Sequence, residues 1–334
     1  MVLTRRLHRL VLQWGWLALL PLATACGGSD DASASTTPPV TTPQATLALA
    51  GELTAQAQLT MAQLQAMPAA TQTVSFSSGS GPQTHVYTGA SLWALLNQAG
   101  IPVNTAIHND LLGKYVVATG SDSYRAVFAM GELSPDFGNR ASLVAYAETI
   151  NGASVALPSD GPLRVTSPGD VKGGRYVSGL VKLEVRSATS TIAGAGGGAS
   201  TQFRLAGAIA RPATFDLAAL QALPAVSRAV GANTYTGVSL WDLVKAAGIS
   251  TDTAVKNDLL GFYIVATGSD GYRTVVSLAE ISPDFGNQPD IVAYAMNGAP
   301  LGNNGFARLV IPNDGKAGRY VSNLIGLEVV SAAR

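Results

Sequence analysis

The chain is poor in reactive and charged side chains: among 334 residues there are one cysteine and three histidines, and Asp, Glu, Lys and Arg together make up 13%. The single cysteine, Cys26, excludes an intramolecular disulfide and a cysteine-rich metal cage. His85 and His108 have no second His or Cys at ligand spacing, so a histidine zinc site is not expected. No Gly-x-Ser-x-Gly elbow is present, which removes the commonest serine-hydrolase signature. Basic and acidic residues balance at 21 each without a basic stripe, so nucleic acid is excluded as a partner. The Gly-rich stretch Gly194–Gly198 matches neither dinucleotide nor P-loop spacing and reads as linker.

What is abundant is apolar sequence, 47% of residues, and an internal repeat. Asn109–Val127 recurs as Asn257–Val275 with fifteen of nineteen positions identical. Within it, Tyr263–Ala266, then Gly268-Ser269-Asp270-Gly271, then Tyr272–Val276 predict a hairpin, and Asp-Gly predicts a two-residue type I′ turn. Ser123 replaces Gly271 in the first copy, so that turn must differ or carry strain. Two domains follow, 46–188 and 201–334, joined by a linker at 189–200.

Each copy predicts a short strand and a helix, Thr60–Met67 or Asp216–Leu223, stopped by Pro68 or Pro224, with Asp216 as an N-cap. A second helix presents Leu92, Leu95, Leu96 and Ala99 on one face and ends at Gly100 or, in copy two, Gly248. Trp93 and Trp241 fit the edge of a core. Ser277–Glu280 is a capping-box signal in copy two alone. Ser-Pro-Asp-Phe-Gly-Asn occurs at Ser134–Asn139 and Ser282–Asn287, as loop chemistry. Many short strands and few short helices make the fold class α+β with mixed or antiparallel sheet. Copy one carries about eight extra residues between Val74 and Tyr87.

The N-terminus reads as an address. Arg5, Arg6 and Arg9 precede an apolar stretch, Leu10–Leu22, too short and broken to span a membrane as a mature helix, as in an export signal over residues 1–26. Leu22-Ala23-Thr24-Ala25-Cys26 resembles the lipobox of bacterial lipoproteins, which implies lipid on Cys26, a membrane anchor, and a place in the periplasm or at the cell surface. The alternative is an ordinary signal peptide cut near Ala25. Residues 27–45, rich in Ser, Thr and Pro, read as a disordered tether.

Charges present in both copies are the candidates for a site: Asp110/Asp258, Asp122/Asp270, Arg125/Arg273, Asp136/Asp284, Arg164/Arg308, Asp170/Asp314, Lys172/Lys316 and Arg175/Arg319. Loop stabilisation accounts for such pairs without function. Asp314–Arg319 is the best anion-site candidate, because Lys316 and Arg319 flank glycine that exposes backbone N–H groups.

The ordered set Tyr235–Leu243, Gly268–Tyr272, Val292–Tyr294 with Asn297-Gly298, Arg308–Pro312 and Gly318–Val321 resembles the sulfite oxidase type molybdopterin-binding domain. The resemblance covers nearly all of both copies and implies two tandem domains of that fold, with mixed sheet and short helices. It implies a cofactor phosphate held by Lys172, Gly174 and Arg175, or by Lys316, Gly318 and Arg319. It also implies a molybdenum-ligating thiolate near the start of the domain, where Ser78 stands in Thr73–Ser78. With no thiol there, no cofactor is expected, and the reading is a protein that binds a small anionic ligand or a periplasmic redox partner. The alternative is a molybdopterin-dependent oxidoreductase of the sulfite oxidase type.

Overall fold

The computed structural model describes residues 46–332. The export signal, the tether and Cys26 lie outside the described residues. The described residues belong to one compact unit, so the two copies are docked into a single body.

Copy one contains β1 (Thr46–Gly51), β2 (Ala57–Thr60), α1 (Met61–Gln65), β3 (Ala69–Ser78), β4 (Gly81–Ser91), α2 (Leu92–Ala99), β5 (Lys114–Gly120), β6 (Arg125–Ala129), α3 (Met130–Leu133), β7 (Leu143–Ile150), β8 (Ala153–Ala156), β9 (Arg164–Val165) and β10 (Leu180–Ser187). Copy two repeats them in order as β11 (Gln202–Gly207), β12 (Ala213–Asp216), α4 (Leu217–Gln221), β13 (Val226–Val230), β14 (Asn233–Ser239), α5 (Leu240–Ala247), β15 (Phe262–Gly268), β16 (Arg273–Ser277), α6 (Leu278–Ile281), β17 (Ile291–Met296), β18 (Ala299–Pro300), β19 (Arg308–Val310) and β20 (Leu324–Ser331). Each copy holds a mixed sheet, ordered β2-β1-β10-β5-β6 or β12-β11-β20-β15-β16. Only the β1/β10 and β11/β20 pairings are parallel in these. A second sheet is antiparallel, β3-β4-β7-β8 with β9 on β7, or β13-β14-β17-β18 with β19 on β17. The α+β class with mixed sheet is as the sequence predicts.

Local chemistry explains the helices. Asp216 accepts from the Ala219 N–H at 2.8 Å. Thr60 and Gln63 form a reciprocal capping box that starts α1 at Met61. Ser277 caps α6 through the Glu280 N–H, but the Glu280 carboxylate does not return to the cap; it is drawn to Arg319. Trp93 and Trp241 pack half-buried on the edges of their copies' cores.

The predicted type I′ turn is corrected. The Gly271 N–H reaches the Gly268 carbonyl, Asp270 accepts from the Tyr272 N–H, and only Gly271 has positive φ, +87°. This is the three-residue hairpin loop in which a tight turn is followed by one left-handed residue. Copy one keeps it with Ser123 at φ 68°, so the strain falls on that serine.

β5 and β15 read as unbroken apolar runs because both faces are covered. Val116 and Ala118 enter the core of copy one, whereas Tyr115 and Val117 meet Tyr263 and Val265 of copy two. The rings of Tyr115 and Tyr263 lie 4.4 Å apart at the centre of this contact.

Candidate functional site

Polar contacts between the copies come in reciprocal pairs. Asn109 and Asn257 sit at left-handed φ, 52° and 54°, a conformation that asparagine tolerates. Their side-chain amides reach across to Tyr272 and Tyr124, at 3.1 and 2.8 Å. Tyr124 in turn donates to the Gly174 carbonyl at 2.7 Å, and Tyr272 to that of Gly318. The Ser-Pro-Asp-Phe-Gly-Asn loops supply Asp284 to Lys172 at 2.7 Å and Asp136 to Lys316 at 2.6 Å. Their aromatic rings cover the glycines: a Cβ on Gly174 would meet Phe285 at 2.4 Å, and one on Gly318 would meet Phe137 at 2.4 Å.

The six residues predicted to hold an anion are therefore built into this contact. Arg175 is fully buried, with Nε 2.8 Å from Asp170 and Nη1 2.5 Å from Glu132. Arg319 repeats this with Asp314 at 2.7 Å and Glu280 at 2.6 Å. Both guanidinium groups are engaged by carboxylates of the chain itself. Lys172 and Gly174 line a cleft in copy one, Gly318 lines the matching cleft of copy two, and Lys316 lies exposed beside Asp136.

The cleft of copy one has a volume of about 590 Å³. The eight extra residues make its wall: they lengthen β3 and β4 so that Phe76–Gly79 stands over Gly173 and Tyr176. A Cβ on Gly173 would meet the Phe76 ring at 2.6 Å, so the glycine permits that close approach. Arg164 lies beneath, donating to the Tyr87 hydroxyl at 2.8 Å and paired with Asp160, with its guanidinium against the Phe76, Tyr87 and Tyr176 rings. His85 stacks between Phe76 and Tyr87 and holds Glu148 at 2.7 Å. Burial pushes the Tyr87 and Tyr176 hydroxyls well up, so both stay protonated donors. Lys256 of copy two closes the far side. In copy two the cleft is about 410 Å³; β13 and β14 end early, and Gly198 of the linker lies there, its carbonyl accepting from Ser269 at 2.6 Å.

Ser78 stands at the hairpin tip, exposed, where it donates to the Gly81 carbonyl at 3.2 Å and accepts from the Ser80 N–H. In the sulfite oxidase type domain that the sequence resembles, molybdenum held through pterin sulfurs takes a protein thiolate, and a hydroxyl engaged in a turn is a poor replacement. Among the described residues there is no cysteine and no group of three His, Cys, Asp or Glu side chains that could hold a metal. The metal end of the cofactor does not fit this donor set.

The two buried arginine clusters differ. In copy one Arg140 joins Arg175: its Nε lies 2.6 Å from Glu132, off the line of a good hydrogen bond, and its Nη1 lies 3.0 Å from Asp170 and 2.6 Å from the Pro168 carbonyl. Burial alone would raise the Glu132 carboxyl, but Arg175 and Arg140 hold it below its ordinary value. In copy two Gln288 replaces Arg140, and Asp290 replaces Ser142. Burial pushes Glu280 up to about 7, only partly offset by Arg319. Asp290 is 2% exposed with neither carboxylate oxygen hydrogen-bonded, and burial raises it well above the usual range. As site residues, Glu132, Arg140, Glu280 and Asp290 escaped the sequence reading; aligning the copies position by position exposes the exchanges of Arg140 for Gln288 and Ser142 for Asp290.

This double fold, two sheets in each copy with a cleft at each closing segment, defines a tandem two-domain architecture. Residues 34–192 and 215–329 match the oxidoreductase molybdopterin binding domain, and the chain belongs to that family. The crystal structure of the sulfane dehydrogenase SoxCD from Paracoccus pantotrophus is similar at 14% identity, covering 69% of this chain, with a TM-score of 0.35; the chain spans 58% of that protein's length. No curated protein matches the chain.

Proposed function

We propose that the protein is an exported, lipid-anchored member of this family that binds a small anionic ligand in the cleft of copy one and performs no molybdenum chemistry. The observation that carries this reading is the cleft wall. Copy one alone has the extended hairpin, and its Ser78 lines the same cleft as Lys172, Lys256 and Tyr176. These groups suit a phosphate or carboxylate, because Lys256 supplies charge, Lys172 supplies more on exchanging Asp284 for the ligand, and the hydroxyls supply donors. Lipid on Cys26 would hold the cleft at a membrane surface, with residues 27–45 as the tether.

Protein purified from a host that makes the molybdenum cofactor tests the reading. The expected result is molybdenum far below one atom per chain. Calorimetry should show binding of inorganic phosphate or of a phosphorylated pterin, weakened at least tenfold by Lys172→Glu with Lys256→Glu. Cys26→Ala should release the protein from the membrane fraction. Family membership favours one second reading, a molybdopterin-dependent oxidoreductase; it predicts one molybdenum per chain, lost in Ser78→Ala.

A further inference from the structure

A second cavity, about 440 Å³, lies between the copies, away from the cleft of copy one, and is lined by both arginine clusters. Glu132 and Arg140 face it from copy one; Glu280, Gln288, Asp314 and Arg319 face it from copy two. Copy one shows what such a cluster holds when complete: two acids, Glu132 and Asp170, and two guanidinium groups, Arg175 and Arg140. Asp170 Oδ1 accepts from both arginines, at 2.6 and 3.0 Å.

Copy two keeps the first arginine and both acids and lacks the second cation. Gln288 stands at the position of Arg140, and its amide is turned aside, donating to Gly286 at 3.1 Å and accepting from Asn313 at 2.8 Å. Asp314 Oδ1 accepts from Arg319, as Asp170 Oδ1 does from Arg175, without the further arginine. Glu280, 1% exposed and on the cavity wall, leaves its Oε2 without a hydrogen-bond partner. Asp290 adds a third buried carboxylate to the same electrostatic cluster. Buried carboxylates without a counter-charge are costly, so the arrangement is one cation short.

We propose that the copy-two side of this cavity binds a small molecule bearing a guanidinium or amidinium group, seated between Glu280 and Asp314 as Arg140 is seated between Glu132 and Asp170. A planar forked cation fits because the two acids are those that hold a guanidinium in copy one, and carboxylates pair with that fork by directed hydrogen bonds. A chelated metal does not fit, since no three acidic or histidine side chains among the described residues converge at metal-binding distance. The cavity is open enough to admit the ligand from solvent and has room for a short tail.

Methylguanidinium chloride is the probe, at low millimolar concentration where it does not denature, with tetramethylammonium chloride and sodium chloride at equal ionic strength as controls. The full protein should melt several degrees higher with methylguanidinium than with either control, and calorimetry should give one site per chain. Gln288→Arg supplies the missing cation from within: it should raise the midpoint without ligand and remove the response to methylguanidinium. Asp290→Ser, which restores the copy-one residue, should fold and weaken binding severalfold. Equal melting in all three salts overturns the proposal, as does an undiminished response in Gln288→Arg. Should L-arginine and an arginine-bearing peptide be compared, equal stabilisation by free arginine supports a free small ligand, and a response to the peptide alone overturns that source.

Discussion

The two copies share topology, turns and cross-contacts, yet the same buried cluster is neutral in copy one and over-acidic in copy two. With Arg140 and Arg175 against Glu132 and Asp170, copy one satisfies its buried charges internally. In copy two Arg319 alone faces Glu280, Asp314 and Asp290, and part of the neutralisation falls to protons. The wall of the cleft differs in the opposite sense, since copy one is extended there and copy two is trimmed. Fold is set by what the copies share, and the differences in buried charge and cleft shape by the few positions where they part.

The sharpest way to break the comparison is Arg175→Met. It leaves Glu132 and Asp170 with Arg140 alone and should cost about 3 to 5 kcal/mol by denaturant unfolding. An effect under 1 kcal/mol would mean that the buried pair contributes little to copy one. Next comes acidity. The folded-state value for Glu280, about 7, lies above its ordinary 4.5, so the folded protein holds an extra proton between those limits. That contribution to stability is full below pH 4.5 and is lost as pH rises through 7. The melting midpoint should therefore rise on acidification from pH 8 to pH 5, and Glu280→Gln should flatten the slope. At pH 8, Asp290→Ser should stabilise by about 1 to 3 kcal/mol, since it removes a buried carboxylate without hydrogen-bond partners. The smallest effects lie in the paired hairpins. Gly271→Val should lose about 1 to 3 kcal/mol by forcing a branched side chain to positive φ, whereas Ser123→Gly should gain about 1 kcal/mol by relieving it. Equal and opposite shifts in thermal midpoint would show that the turns are interchangeable.

Much of the fold is legible because it is written locally. Asp216 beside an apolar helix face, Gly100 and Gly248 as helix ends, and the recurring hairpin all act within a few residues of themselves. The I′ reading failed because Asp-Gly fits two loop lengths. The Asp270 carboxylate, by accepting from the Tyr272 N–H, favours the longer one. The site was less legible because its partners are remote. Lys316 and Asp136 are 180 residues apart, so a run of lysine, glycine and arginine read as an anion cradle is occupied by the chain's own acids. Arg319 packs against Gly131 and Gly138 of copy one, a contact that no periodicity within either copy encodes. A spacing signal was present, nonetheless: Asp170 and Asp314 each precede their arginine by five residues.

The reciprocal pairing of Lys172 with Asp284 and Lys316 with Asp136 has the form of an isologous two-fold interface, residue i meeting j while j meets i. In a homodimer such an interface forms by mass action and dissolves on dilution. Here both faces belong to one polypeptide, so docking is unimolecular and its effective concentration is set by the linker. The unfolding midpoint should consequently stay fixed when the protein is diluted about a hundredfold. That makes the paired state independent of how many copies of the protein the cell makes.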